Sequence, residues 1–247
     1  MPIRKTDLIN GEIYHVIMRG VDGRQIFMDD EDRWYGIFGL YEFNTTEAIV
    51  IRRQREKREK FKKELKSRKG PASADLEQPD KRTRLVDVLA FTFMSNHIHL
   101  LLKQLVPGGI TAFIQKFGTG RAMHFNKRHK RKGTLFQSRF DARLINNDEY
   151  LKTVFVYIHT NPISLIEPGW KEKGIVDLAK AKEFLETYRW SSYPDYLGKK
   201  NFPSITERDF VLEVMGGFDG VRLFVDYWLD YKHYLSGKLA EAGPLRS

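Results

Sequence analysis

Two histidines separated by one residue, His97 and His99, stand in the stretch FTFMSNHIHLLLK at 91–103. In an extended chain, side chains two apart leave the same face. Both imidazoles can therefore reach one divalent ion while Ile98, Leu100 and Leu102 pack the opposite side. Two ordinary histidines on a partly exposed strand satisfy the same pattern, and His-x-His alone does not separate the two readings. The chain has no cysteine. That excludes disulfides and thiolate metal sites and leaves His, Asn, Gln, Asp, Glu and water as ligands.

A second set of residues able to do chemistry lies on NNDEYLKTVFVYIHTNPI, 146–163, the clearest helix in the chain. Asn146 or Asn147 can cap its first amides, Asp148 and Glu149 suit the positive end of its dipole, and Pro162 ends it. Leu151, Val154, Phe155 and Ile158 form the stripe that faces a core. Tyr157 and Asn161, four apart, fall together on the border between core and solvent, with His159 on nearly the opposite side. At such a border Tyr157 is either a boundary residue with a wet hydroxyl or a reactive phenol. Asn161 offers an amide oxygen on the same side and is a candidate third ligand for the histidine pair.

Other elements must hold these two segments together. IYHVIMR at 13–19 reads as a strand, and MDDEDRWYGIFGLYEF after it as a helix. VDVLAFTFM and HIHLLLK read as a hairpin across Ser95-Asn96. GGITAFIQKFGTGRAMHFNKRHK reads as a helix with a basic end, TLFQSRFDARLI as extended chain, and 208–228 as a further helix. Strands and helices alternate without glycine-rich phosphate loops, which predicts an α+β fold on an antiparallel sheet.

The chain has 247 residues, 41% hydrophobic and 30% charged, enough for a real core. It lacks a membrane-length apolar run, and MPIRKTDLINGE has no apolar signal core, so a cytoplasmic protein without a membrane partner is expected. The net charge is +10, and its placement matters more than its sum. RRQREKREKFKKELKSRK at 52–69 holds eleven Lys or Arg against three Glu, and RAMHFNKRHKRK at 121–132 holds six and no acid. Two separate basic runs favour a nucleic-acid partner over solvated helix faces.

The ordered set YHVIMRG, MSNHIHLLL, FQSRF, YIHTNPI and WSSY (190–193) resembles the single-tyrosine transposases of the His-hydrophobe-His superfamily, above all the REP-associated tyrosine transposases. The resemblance runs from about residue 11 to 195, interrupted by 52–84. It implies a ferredoxin-like antiparallel sheet with helices packed on it, here with a basic, partly flexible insertion at 52–84 and a C-terminal helical extension. A catalytic domain at 1–195 and an extension at 196–247 follow. By motif, His97 and His99 bind Mg²⁺ or Mn²⁺, Asn161 stands at the third ligand position and Tyr157 at the nucleophile.

The implied activity is metal-dependent cleavage and rejoining of single-stranded, hairpin-containing DNA through a 5′-phosphotyrosine link. Arg19, Lys103, Arg121, Lys127, Arg128 and Arg139 are candidate phosphate contacts. Relatives include monomers and dimers, so a homodimer is admissible. The chain departs from many relatives in having Ser95 where they have Pro, and in the insertion itself. A non-catalytic DNA-binding regulator on the same scaffold is the alternative, and an RNA-binding module a remoter one.

Overall fold

The computed structural model describes residues 8–48, 56, 59, 82–137 and 140–242. Apart from Glu56, Glu59 and the stretch Arg82 to Arg84, the basic insertion expected at 52–84 lies outside the described residues. The chain runs β1 (Ile13–Arg19), α1 (Asp30–Glu42), β2 (Val86–Phe93), β3 (His97–Gln104), α2 (Gly109–Arg128), β4 (Asp141–Ile145) and α3 (Asp148–Thr160). After a 3₁₀ turn at Asn161–Leu165 come α4 (Trp170–Lys173), α5 (Leu178–Thr187), α6 (Tyr193–Tyr196), α7 (Asp209–Met215) and α8 (Gly217–Ala242).

The four strands pair in the order β2-β3-β1-β4, every neighbouring pair antiparallel. With α1 and α2 as crossovers this is the βαββαβ topology of a ferredoxin-like α+β fold. Strand periodicity gives the sheet two apolar faces. Tyr14, Val16, Met18, Phe91, Phe93, Ile98, Leu100 and Leu102 pack under α1 and α2. Leu101, Ala90 and Ile145 turn the other way and join α3 and the C-terminal helices in a second core. A bulge between Val88 and Ala90 lets both Leu89 and Ala90 reach that second core. The face that a two-layer ferredoxin-like fold leaves open is thus covered from residue 148 onward. The candidate site lies on that covered face.

Asn147 caps α3 by accepting from the Tyr150 amide at 2.7 Å, and the Leu151, Val154, Phe155 and Ile158 stripe is buried. The chain does not turn away at Pro162. It tightens into the 3₁₀ turn, because a proline at the second position of a new turn removes an amide that needs no partner there. The helix expected over 208–228 is two helices, broken where Gly216 and Gly217 both take left-handed backbone at φ +80° and +79°. Among the described residues no helix is long and apolar enough to cross a membrane.

The WSSY segment closes the open edge of β2. Phe93 donates to the Trp190 carbonyl (2.9 Å) and Ser192 to the Phe91 carbonyl (3.0 Å). The Ser192 hydroxyl accepts from the Phe91 amide at 3.0 Å and sits 2.8 Å from His159 Nε2. Two motifs far apart in sequence, YIHTNP and WSSY, therefore form one fastener that seats α3 on the sheet.

Candidate active site

Register sets the site. In the β1–β3 ladder His99 lies opposite Ile17 and His97 opposite Arg19, so His97, His99, His15 and Arg19 leave one face of the sheet. The His97 and His99 rings are 4.8 Å apart between centroids. From above, α3 brings the Tyr157 ring to 5.5 Å from His99 and 6.0 Å from His15. Tyr157 is 37% exposed, which makes it a border residue whose hydroxyl solvent and substrate can reach.

The imidazoles are held neutral. Burial, then the charges of Arg19 and Lys171, pushes His97 down to about 4. Burial, then Arg143 and Arg19, does the same for His15. His99 lies well below the ordinary histidine range, by burial first and then by its charged and histidine neighbours. Neutral rings carry a free lone pair, the form that binds a metal.

Hydrogen bonds orient these rings. His99 Nδ1 is 2.9 Å from His15 Nε2, while His99 Nε2 is buried without a partner. His97 Nδ1 is 2.7 Å from Asn96 Oδ1, so its Nε2 is the nitrogen left for a ligand. Asn161 is buried; its Nδ2 donates to the Tyr157 carbonyl (2.9 Å) and its Oδ1 accepts from Lys171 Nζ (2.8 Å). No group of three His, Cys, Asp or Glu residues suited to an ion occurs among the described residues. A divalent ion here would therefore draw on two imidazoles, the Asn161 amide oxygen and water. An orphaned, buried, neutral imidazole nitrogen beside a second imidazole fits such an ion.

Two residues at the site were not picked out from sequence. His15 was legible in principle, because IYHVIMR is a strand and the parity that places Arg19 on one face places His15 there too. Lys171 carried no sequence signal. Its placement depends on α4 and on α8 behind it. Lys232 Nζ donates to the Lys171 carbonyl (2.7 Å), and Gly174, at φ +79°, lets α8 come so close that a Cβ there would lie 2.4 Å from the Lys232 carbonyl oxygen.

The expected phosphate contacts do not gather at one place. Arg19 and Lys103 share the histidine face, Arg19 exposed and 3.7 Å from Asp141, Lys103 over the Phe210 ring. Arg121 is a correction, for it is fully buried and donates to the Ile26 carbonyl (2.7 Å) beside Phe27. Burial pushes its guanidinium down to about 10. No phosphate can reach it. Arg128 is tied to Asp29, Asp32 and Glu31, and with exposed Lys127 it ends α2, in the helix layer across the sheet from the histidines. Arg139 lies outside the described residues.

Among solved structures, one described as the structure of a REP-associated tyrosine transposase bound to a REP hairpin aligns over 85% of this chain and 92% of its own, at 12% identity and a TM-score of 0.45. No curated protein matches the sequence significantly. Residues 44–161, the segment that carries His97, His99, Tyr157 and Asn161, match the model of the family described as IS200-like transposases.

Proposed function

We propose that this chain is a metal-dependent endonuclease and strand transferase for single-stranded, hairpin-containing DNA, with Tyr157 as the nucleophile. The observation that carries this is the convergence of a half-exposed phenol with an orphaned, neutral His99 Nε2, the two rings 5.5 Å apart. A structural tyrosine would have no need of two unprotonated histidines at its edge.

His97 Nε2, His99 Nε2 and Asn161 Oδ1 would hold Mg²⁺ or Mn²⁺. Such an ion supplies charge that polarises a backbone phosphate. Tyr157 Oη then attacks phosphorus as the bond to the 3′ oxygen breaks, leaving a 5′-phosphotyrosine and a free 3′-hydroxyl. The new ester keeps the phosphodiester energy for rejoining, so no nucleotide cofactor is implied. Arg19 and Lys103, on the histidine face, are the cations we assign to the DNA backbone. We read 1–195 as the catalytic unit and 196–247 as its C-terminal extension, whose described helices pack against that unit.

The test is incubation of the protein with end-labelled single-stranded hairpin oligonucleotides and Mn²⁺, followed by a denaturing gel and peptide mapping. A metal-dependent adduct on Tyr157 is expected. Tight hairpin binding across many oligonucleotides without an adduct would instead establish the non-catalytic regulator.

His15 should matter through His99. If His99 Nε2 is to offer a lone pair, its Nδ1 carries the proton and donates to His15 Nε2, which fixes the tautomer. His15→Phe keeps a ring in the same space and removes that acceptor. Mn²⁺ affinity, followed by the free-ion electron paramagnetic resonance signal, is expected to fall by about 10- to 100-fold. Unchanged affinity would remove His15 from the site.

A further inference from the structure

Lys171 lies outside the family-matched segment, on the short α4, and its side chain enters the site partly buried. Its ammonium is 2.8 Å from Asn161 Oδ1, 3.3 Å from the Tyr157 hydroxyl and 4.6 Å from the centroid of the Tyr157 ring. Its charge is felt at both His97 and His99. No carboxylate among the described residues pairs with it, in contrast to Arg19, which has Asp141, and Arg128, which has three acids. A cation held against a phenol and an amide oxygen, with its own carbonyl anchored by Lys232, calls for an anion that no described residue supplies.

We propose that Lys171 is a further catalytic residue, whose ammonium contacts the Tyr157 oxygen and a non-bridging oxygen of the phosphate that Tyr157 attacks. This rests on the reading of Tyr157 as nucleophile. In the forward step the Tyr157 Oη–P bond forms, the P–O3′ bond breaks, the electron pair leaves on O3′, and that oxygen takes a proton from water. The phenolic proton goes to solvent, and Lys171 keeps its three protons throughout. In rejoining, the tyrosine oxygen is the leaving group, and the same ammonium stabilises the charge that departs on it. One fixed cation thus serves both directions, because the developing charge lies on the same atoms in each.

The role also explains the C-terminal helices. The Ile175 amide donates to the Lys232 carbonyl at 3.1 Å, and Ser236 Oγ donates to the Ile175 carbonyl at 2.8 Å, so α8 clamps the chain on either side of Gly174. Part of the extension therefore acts as the seat for a residue that works at the site.

The test compares wild type, Lys171→Met, Lys171→Gln and Lys171→Arg in single-turnover adduct formation, with oligonucleotide binding, Mn²⁺ binding and thermal unfolding measured alongside. Loss of one preorganised charge should slow adduct formation by about 100-fold or more in the Met and Gln variants. DNA affinity should move far less, and Lys171→Arg should recover at least a tenth of the wild-type rate. A folded neutral variant within threefold of wild type would overturn the proposal and leave Tyr157 standing. Recovery of the rate by excess Mn²⁺ would also overturn it, since Lys171 would then act only by seating Asn161. No adduct with the wild-type protein would sink the Tyr157 reading itself, and this proposal with it.

Discussion

Tyr157→Phe is expected to leave the fold and DNA binding intact while covalent adduct formation falls by at least about 10⁴-fold, since removing a nucleophile removes the step itself. The ring keeps its edge contacts with His99 and His15, and the Oη atom donates to no core acceptor. Among the described residues its one hydrogen-bonding neighbour is Lys171 Nζ, at 3.3 Å in a solvent-exposed contact. Deleting an oxygen so placed should change stability by less than about 0.5 kcal/mol. Fluorescence anisotropy with a labelled hairpin would report binding, and a denaturing gel the adduct. An adduct formed by the Phe variant at the wild-type rate would move the nucleophile to another residue, and weakened binding with normal chemistry would make Tyr157 a stacking residue.

The sheet was legible because its alternation is local. HIHLLLK shows which side of β3 faces each core, and the buried Ile98, Leu100 and Leu102 follow from it. The α3 stripe and the Asn147 cap were legible for the same reason. Arg121 was misread because charge was weighed before period. It stands four residues after Phe117 and four before Phe125, on the very stripe of α2 that Ile110, Phe113 and Phe117 bury, so helical spacing already placed it inside. Arg128 fails as a free cation for a tertiary reason, because three acids at the start of α1 arrive beside it only in the fold. Lys171 was invisible for a similar one. Its position comes from α8 packing more than sixty residues later in the chain.

Acidification is expected to unfold the metal-free protein cooperatively between about pH 4 and 5.5, because the buried His15, His99 and His159 and the half-buried His97 are held in neutral form. His159 is pushed down to about 3 by burial alone, with the Ser192 hydroxyl and the rings of Phe155, Tyr193 and Tyr196 around it. His15 and His97 stand at about 4, and His99 is lowered as well. In the unfolded chain each returns to about 6.5 and binds a proton that the folded state refuses. The unfolded state thus holds more protons below pH 6.5, so stability rises with pH from about 4 to 6.5 and is lost as pH falls through that window. Each such histidine contributes about 1.4 kcal/mol per pH unit, so four together approach about 5 kcal/mol per unit at the steepest point. That is comparable to the whole stability of a typical domain, which is why the loss should be complete rather than gradual. The raised Asp87 and Asp195 oppose it only in part, since carboxylates titrate mostly at the lower end of the window. Urea midpoints by circular dichroism from pH 7.5 to 4.5 would show the fall, and His159→Gln should make it shallower by about one proton's worth while placing an amide in place of the imidazole nitrogen near Ser192. Midpoints that stay level down to pH 4.5 would mean that these imidazoles accept protons in the folded state, and with them the case for neutral, metal-ready rings at His97 and His99 would go.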